Sequence, residues 1–290
     1  MTEPNITLPV DLTNPGQFFA CCGLLELADR LWPGAEGWFD DDVFHITCGH
    51  ALVELLTVLA DCIVTNTMTP AQLDRLGILS ELSEAQLRAV IGGEAEKTIL
   101  DGLRRKSAIV FSGALSMTIS WFQDRFIRGF TLKTWAGQQS ALTIASDMHA
   151  GLKHLLPEVT DSPWLTLRKV GLPFNFDSDI GGQGSGLDIG FVFNALDKNS
   201  NTRINRGCRP ILELLCFIGL QRFRPLELAG GDCFRYVAWA HPFSPLVAAV
   251  AASTMLQSAN ERHFVFRMFN TSKDYYCFFP ALPFQGDRDE

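Results

Sequence analysis

Basic side chains, interleaved with aromatic rings, are the residues of this sequence whose types and spacing best fit a chemical task. Guanidinium groups bind phosphate oxygens bidentately, and a neighbouring aromatic ring can stack on a base. Any one of these side chains could instead lie on a solvated face or pair with an acidic residue, but their clustering favours nucleic acid. The candidates are Arg125, Arg128, Lys133, Trp135, Arg168, Lys169, Arg203, Arg206, Arg209, Arg222 and Arg224.

A glycine-rich stretch lies between two of these basic groups. Five glycines fall between Gly181 and Gly190, so the backbone there can take positive φ or approach another molecule closely. No Gly-Lys-Ser/Thr follows, as a Walker motif requires, and the next segment has a strand pattern instead of the helix of a dinucleotide-binding fingerprint. Two interpretations stay open: a hairpin turn, or a loop that clamps a nucleic-acid backbone through Gly182, Gly184 and Gly186.

Acidic residues around this stretch raise the alternative of a metal site. Asp177, Asp179 and Asp188 offer the oxygen ligands that hard cations prefer. Aspartates that cap turns are commoner, so we expect no metal here. A metal-dependent nuclease that uses these three aspartates is the least favoured function.

Other catalytic arrangements find little support. His45, Cys48 and His50 are close in sequence, but no second ligand pair completes a zinc site. His149 and His154 are five residues apart on a predicted helix and so do not share a face. No serine occupies a nucleophile elbow. We expect a protein that is not an enzyme and needs no cofactor.

Composition and charge indicate a folded protein with an uneven charge distribution. The chain of 290 residues is 47% hydrophobic and 19% charged, and its eight cysteines show no CxxC spacing, which favours reduced thiols within a core. The net charge of −8 divides into −12 for residues 1–102 and +4 for residues 103–290. The second part can therefore face phosphate. With no signal-peptide pattern or long apolar run, we expect a cytoplasmic protein without membrane contact.

The N-terminal region predicts a β-α-β-β order. Ile6 to Val10 forms a candidate strand, and Asn14-Pro15-Gly16-Gln17 supplies a helix N-cap, a proline at N1 and a glutamine at N3. The apolar helix that follows should stop at Pro33-Gly34. Trp38-Phe39 and the segment 43–47, on either side of an acidic turn, then predict two strands.

The rest of the chain alternates helix and strand patterns within one predicted α+β domain over residues 1–290. An apolar helix at 51–64, capping signatures at Thr69 and Ser83, and a helix at 94–106 predict a helical insertion at about 50–107. The other predicted helices are 140–156, 210–220 and 245–256. Further strands are predicted after Ala108 and at 130–135, 234–240, 263–269 and 275–279. One more predicted strand ends at Phe176.

Four segments carry a resemblance to a known family. They are VDLTNPGQFFACCGLLELADRL, PFNFDSD, GLDIGF and RPILELLCFIGLQRFRP. Together they resemble the third Csb-type family of type I-U (now I-G) CRISPR-Cas loci, and the likeness spans most of the chain. None of the four is a catalytic signature.

The resemblance implies a RAMP-like subunit of a Cascade-like interference ribonucleoprotein, with a ferredoxin-like β-α-β-β core. Its expected partners are guide RNA (crRNA) and other Cas or Csb subunits. The glycine loop and the basic side chains would then hold RNA phosphates without reading sequence. Two alternatives stay open within the same complex: a protein-protein scaffold, and a subunit that recognises target DNA.

Overall fold

The computed structural model describes residues 3–126, 131–135, 139–159, 168–169, 173–179, 207–229, 232–253, 261–272 and 275–284. The helices of these residues are α1 (Pro15–Leu31), α2 (Leu52–Asp61), α3 (Pro70–Glu81), α4 (Glu84–Ala89), α5 (Gly93–Lys106), α6 (Ala141–Leu155), α7 (Pro210–Gly219) and α8 (Pro245–Ala252). The strands are β1 (Ile6–Pro9), β2 (Glu36–Asp40), β3 (Val43–Thr47), β4 (Ile63–Asn66), β5 (Ile109–Ser112), β6 (Met117–Ile119), β7 (Arg168–Lys169), β8 (Gly207–Cys208), β9 (Leu226–Glu227), β10 (Cys233–Ala238), β11 (Arg262–Ser272), β12 (Tyr275–Phe278) and β13 (Leu282–Pro283). The fold is α+β with small antiparallel sheets.

The N-terminal helix begins where its capping residues predict. The Asn14 side chain accepts a hydrogen bond from the Gln17 backbone N–H, and Pro15 opens the helix. The Gln17 side chain does not close a capping box, because its Oε1 accepts from the Asp11 N–H at 2.8 Å. Gln17 therefore ties the chain before the helix to the first turn.

The predicted β-α-β-β order is confirmed, and the three strands form one antiparallel sheet. The strand order is β1-β3-β2, so β3 lies between the two strands that α1 connects. Ile6 pairs with Ile46 and Phe39 with Phe44. These four side chains are buried, so this face of the sheet packs on a core.

A second sheet extends this layer. Its strand order is β12-β11-β10-β9, and β13 also pairs with β11. The chain that leaves β10 runs beside β2: the Phe39 N–H donates to the Trp239 carbonyl at 2.9 Å, and Gly37 and Phe243 exchange backbone hydrogen bonds. The edge of β2 is therefore covered.

Helices α1 and α7 cross at the centre of the main core. Phe18, Phe19 and Phe217 from these helices are fully buried in one continuous hydrophobic cluster. A smaller separate cluster, formed by Met68, Leu76, Leu79, Leu87 and Leu100, holds α3, α4 and α5 together.

The region predicted as a helical insertion, residues 50–107, differs from that prediction in one respect. The helix predicted over 51–64 ends at Asp61, and the last residues of the apolar run belong to strand β4. Val64 pairs with Phe111 in β5, so tertiary pairing takes priority over local helix propensity here. Helices α3 to α5 follow, with the N-caps Thr69 and Ser83 as predicted.

Two predicted strands are wrong in the residues that the structure describes. Residues 131–135 and 173–176 contain no strand. The Thr134 hydroxyl donates to the Phe174 carbonyl, and Asn175 takes φ 68°, which a regular strand excludes. None of the helices within the described ranges is both long and apolar enough to cross a membrane.

Candidate nucleic-acid interface

Residues 173–179 lead into the glycine stretch and are held by the starts of two helices. The Asn14 amide donates to Asp177 Oδ1 at 2.8 Å, and its Oδ1 accepts from the Ser178 N–H at 3.4 Å. A Cβ at Gly16 would lie 2.5 Å from the Phe176 carbonyl oxygen, so only glycine allows this approach. The N-cap of α1 is therefore also an anchor for residues 173–179.

Glu213 holds the same segment from α7. Its Oε1 accepts from the backbone N–H groups of Phe176 and Asp177, at 3.1 and 3.2 Å. Burial, and secondly the charge of Asp177, raise the pKa of Glu213 to about 8. The sequence-based candidates do not include Glu213, although a single acid in the apolar run PILELLC was a usable signal, since buried acids require partners.

Arg209 connects the chain that precedes residues 180–206 with the chain that follows them. Its Nη1 lies 3.2 Å from Asp177 Oδ2 and 3.0 Å from Asp179 Oδ2, and its side chain is only 16% exposed. Burial raises the pKa of Asp177 although Arg209 opposes the effect. The sequence predicts that Arg209 contacts RNA; in the structure its guanidinium group forms ion pairs with Asp177 and Asp179.

The ion pairs of Arg209 involve two of the three aspartates of the alternative metal site. Asp177 and Asp179 share Arg209, and Asp188 lies outside the described residues. In the part of the chain that the structure describes, no three His, Cys, Asp or Glu side chains form a group that could hold a metal ion.

Arg222 and Arg224 also have carboxylate partners. Arg222 forms an ion pair with Glu26, a 2% exposed carboxylate of α1 that pairs with Arg30 as well. Arg224 lies 3.0 Å from Asp124. Because these guanidinium groups already meet carboxylates, they have less capacity for phosphate than their sequence positions indicated.

Trp135 and Lys133 form a fixed pair at the edge of the core. The Trp135 ring is 3% exposed and contacts the rings of Trp121 and Phe174, with centroids at 5.9 and 5.2 Å. It leaves no open face for a base to stack on. Lys133 Nζ lies 5.4 Å from the centre of this ring, and Arg125 is exposed.

The remaining candidates are only partly described. Arg168 and Lys169 form the backbone of β7, which pairs with β8 through Cys208 and Gly207. Outside the described residues lie Arg128, Gly182, Gly184, Gly186, Arg203 and Arg206.

The contacts around residues 173–179 define one structural unit, here called the clamp. The clamp consists of Asn14, Asp177, Asp179, Arg209 and Glu213, and it joins the chain on both sides of residues 180–206. Compared with known proteins, the chain matches no protein-family model and no solved structure.

Proposed function

We propose that this protein is a non-catalytic RNA-binding subunit of a type I CRISPR-Cas interference ribonucleoprotein, in which it holds the guide RNA backbone. The resemblance of four sequence segments to the Csb-type family suggests the complex. The chemistry of the basic residues and glycines suggests the ligand. A cytoplasmic location belongs to the same proposal.

The clamp is the observation that carries the proposal. Asp179 directly precedes residues 180–206 and Arg209 follows them, and the two side chains form an ion pair. Glu213 and Asn14 fix the adjoining backbone. A binding loop gains precision when rigid, buried contacts hold its base. The chain between these anchored ends, residues 180–206, contains the five glycines with Arg203 and Arg206.

The strand order supports the expected fold class. In β1-α1-β2-β3 a helix connects two strands, and the third strand lies between them. A ferredoxin-like unit begins with the same split β-α-β arrangement. We infer that residues 6–47 form the ferredoxin-like core of the subunit.

The test uses the purified chain and a fluorescently labelled single-stranded RNA of about 30 nucleotides. Affinity should fall by orders of magnitude between about 50 and 200 mM salt, with little dependence on sequence. The variant Arg203→Ala/Arg206→Ala should bind more weakly and keep its unfolding temperature. Absent or salt-independent RNA binding by the wild type would refute the proposal, and preferential binding of single-stranded DNA would favour the target-DNA alternative.

A scaffold role is a second candidate because several large apolar side chains are exposed on the insertion. Ile78, Ile91 and Ile99 are 55%, 101% and 63% exposed. Exposed apolar groups of this kind mark protein-protein contacts when they are contiguous. Co-purification with neighbouring Cas proteins after changing these residues to Ser would test this role: lost assembly with intact RNA binding would show that both roles coexist.

A further inference from the structure

The end of α5 and the region around Lys133 bring together cations that are far apart in sequence. The Gln123 side chain donates a hydrogen bond to the Lys106 carbonyl at the last residue of α5. Arg125 follows Gln123 by two residues. Arg105 lies close enough to Lys133 to lower the pKa of that ammonium group, an effect second to burial.

Buried aromatic rings fix two of the chain segments that carry these cations. Trp135, below the Lys133 ammonium group, packs on Trp121 and Phe122, with ring centroids at 5.9 and 5.5 Å. Trp121 and Phe122 begin the short 3-10 turn that ends at Gln123. The positions of Lys133 and Arg125 are therefore set by the main core, and Lys106 is tied to them through Gln123.

Two acidic residues near these cations in sequence are already paired with other arginines. Asp101 lies 3.2 Å from Arg104, and Asp124 lies 3.0 Å from Arg224. The Arg105 Nε–H donates to the backbone carbonyl of Asp101. Within the described residues, none of Arg105, Lys106, Arg125 and Lys133 forms a salt bridge.

An unmatched group of four cations is unexpected in a chain of net charge −8. Lys and Arg in the last turn of a helix do stabilise its carbonyl end, which accounts for Arg105 and Lys106. It does not account for Lys133, which comes from another part of the chain and stays half-buried beside a like charge. Holding like charges together costs free energy that a bound anion would recover.

We propose that Arg105, Lys106, Arg125 and Lys133 form a basic surface that binds consecutive phosphates of a single-stranded RNA. This inference rests on the proposed function and adds a second contact region to it, formed by the end of α5 with Arg125 and Lys133 and separate in sequence from residues 180–206. Trp135, the ring below Lys133, is buried and offers no face to a base. We therefore expect the surface to contact phosphates and not to discriminate bases.

The test compares two variants that each lose three positive charges. The surface variant is Arg105→Gln/Lys106→Gln/Arg125→Gln, and the matched control is Arg88→Gln/Lys97→Gln/Lys153→Gln. Binding of the labelled 30-nucleotide RNA is measured across a salt series, and thermal unfolding checks the fold. The surface variant should bind about tenfold or more weakly at low salt, and its slope of log K against log salt should be shallower by about 2. The control should stay within about twofold of the wild type, since contact geometry and not net charge decides the effect.

The outcomes separate this inference from the proposed function. If the surface variant binds RNA like the wild type while Arg203→Ala/Arg206→Ala binds weakly, the basic surface is refuted and the proposed function stands. If the wild type does not bind RNA, the proposed function fails. Binding of inorganic polyphosphate then tests whether the basic surface is an anion site at all. Polyphosphate binding that is lost in the surface variant and kept in the control would support the site. If the wild type does not bind polyphosphate, the basic surface is refuted as well.

Discussion

Gly23 of α1 and Gly219 of α7 lie against each other's helix backbone at the crossing of the two central helices. A Cβ at Gly23 would come closer than 3.0 Å to the Leu215 carbonyl oxygen, and one at Gly219 closer than 3.0 Å to the Phe19 carbonyl oxygen. Backbone atoms cannot move aside as a flexible side chain can. The close approach of α1 and α7 therefore depends on both glycines.

Gly219→Ala should lower the free energy of unfolding by about 3 kcal/mol, the upper range for overpacking a core. Urea unfolding followed by circular dichroism measures this change. Gly77→Ala is the matched control, because nothing lies within 4 Å of a Cβ at this exposed position of α3. Alanine there should raise stability by up to about 1 kcal/mol. Equal effects of the two substitutions would contradict the tight crossing.

Glu213 should make stability fall as the pH rises. Its pKa is raised from 4.5 to about 8 in the folded protein, so the folded state binds the proton more tightly than the unfolded state. The stabilisation is fully present below about pH 4.5 and is lost as the pH rises through about 8. Unfolding free energies of wild type and Glu213→Gln between pH 5 and 8 isolate the effect, because other titrating groups are common to both.

The variant Glu213→Gln should keep the hydrogen bonds to the Phe176 and Asp177 N–H groups, since its amide oxygen can accept both. Between pH 5 and 8, its unfolding free energy should change by at least about 1.4 kcal/mol less than that of the wild type. This difference is equivalent to one pKa unit. Parallel curves for the two proteins would show that Glu213 does not titrate in this range.

Arg209→Ala should destabilise the protein instead of only weakening RNA binding. It leaves the carboxylate of Asp177 buried at 1% exposure without its cation, and breaking such a pair costs about 3 kcal/mol. The double variant Asp177→Asn/Arg209→Ala should recover part of this loss, because the amide carries no charge. Urea midpoints of the two variants give the comparison. Unchanged stability of Arg209→Ala would show that the clamp does not hold the segment.

Trp135 should act on folding and not on base recognition. Trp135→Ala empties a buried site among Trp121, Phe122 and Phe174 and should cost about 3 to 5 kcal/mol. Trp135→Leu keeps an apolar side chain at this site but no ring that could stack on a base, so this variant should lose less stability and keep its RNA affinity. Anisotropy titrations of Trp135→Leu with the labelled RNA provide the measurement. A marked loss of affinity in the folded variant would restore the stacking role expected from the sequence.

Capping residues in the sequence correctly predicted where three helices begin. Asn14 caps α1, and Thr69 and Ser83 cap α3 and α4, because each side chain bonds to a backbone N–H only three residues away. The apolar pattern of α7 was equally clear. The two wrong strands, at 131–135 and 173–176, lie where backbone groups bond to distant segments instead of a ladder neighbour. The Tyr276 N–H, for example, donates to the Thr134 carbonyl.

The sequence by itself determined where the capped helices begin, the β-α-β-β order and the set of charged side chains, since these follow from spacing and residue type. Only the tertiary structure decided which charges remain unmatched. Arg209, Arg222 and Arg224 lie opposite Asp177, Glu26 and Asp124, partners that are 32, 196 and 100 positions away in the chain. Lys133, in contrast, lies beside Arg105. Coulomb interactions depend on distance in space, which the fold sets through the α1–α7 crossing and the buried clamp.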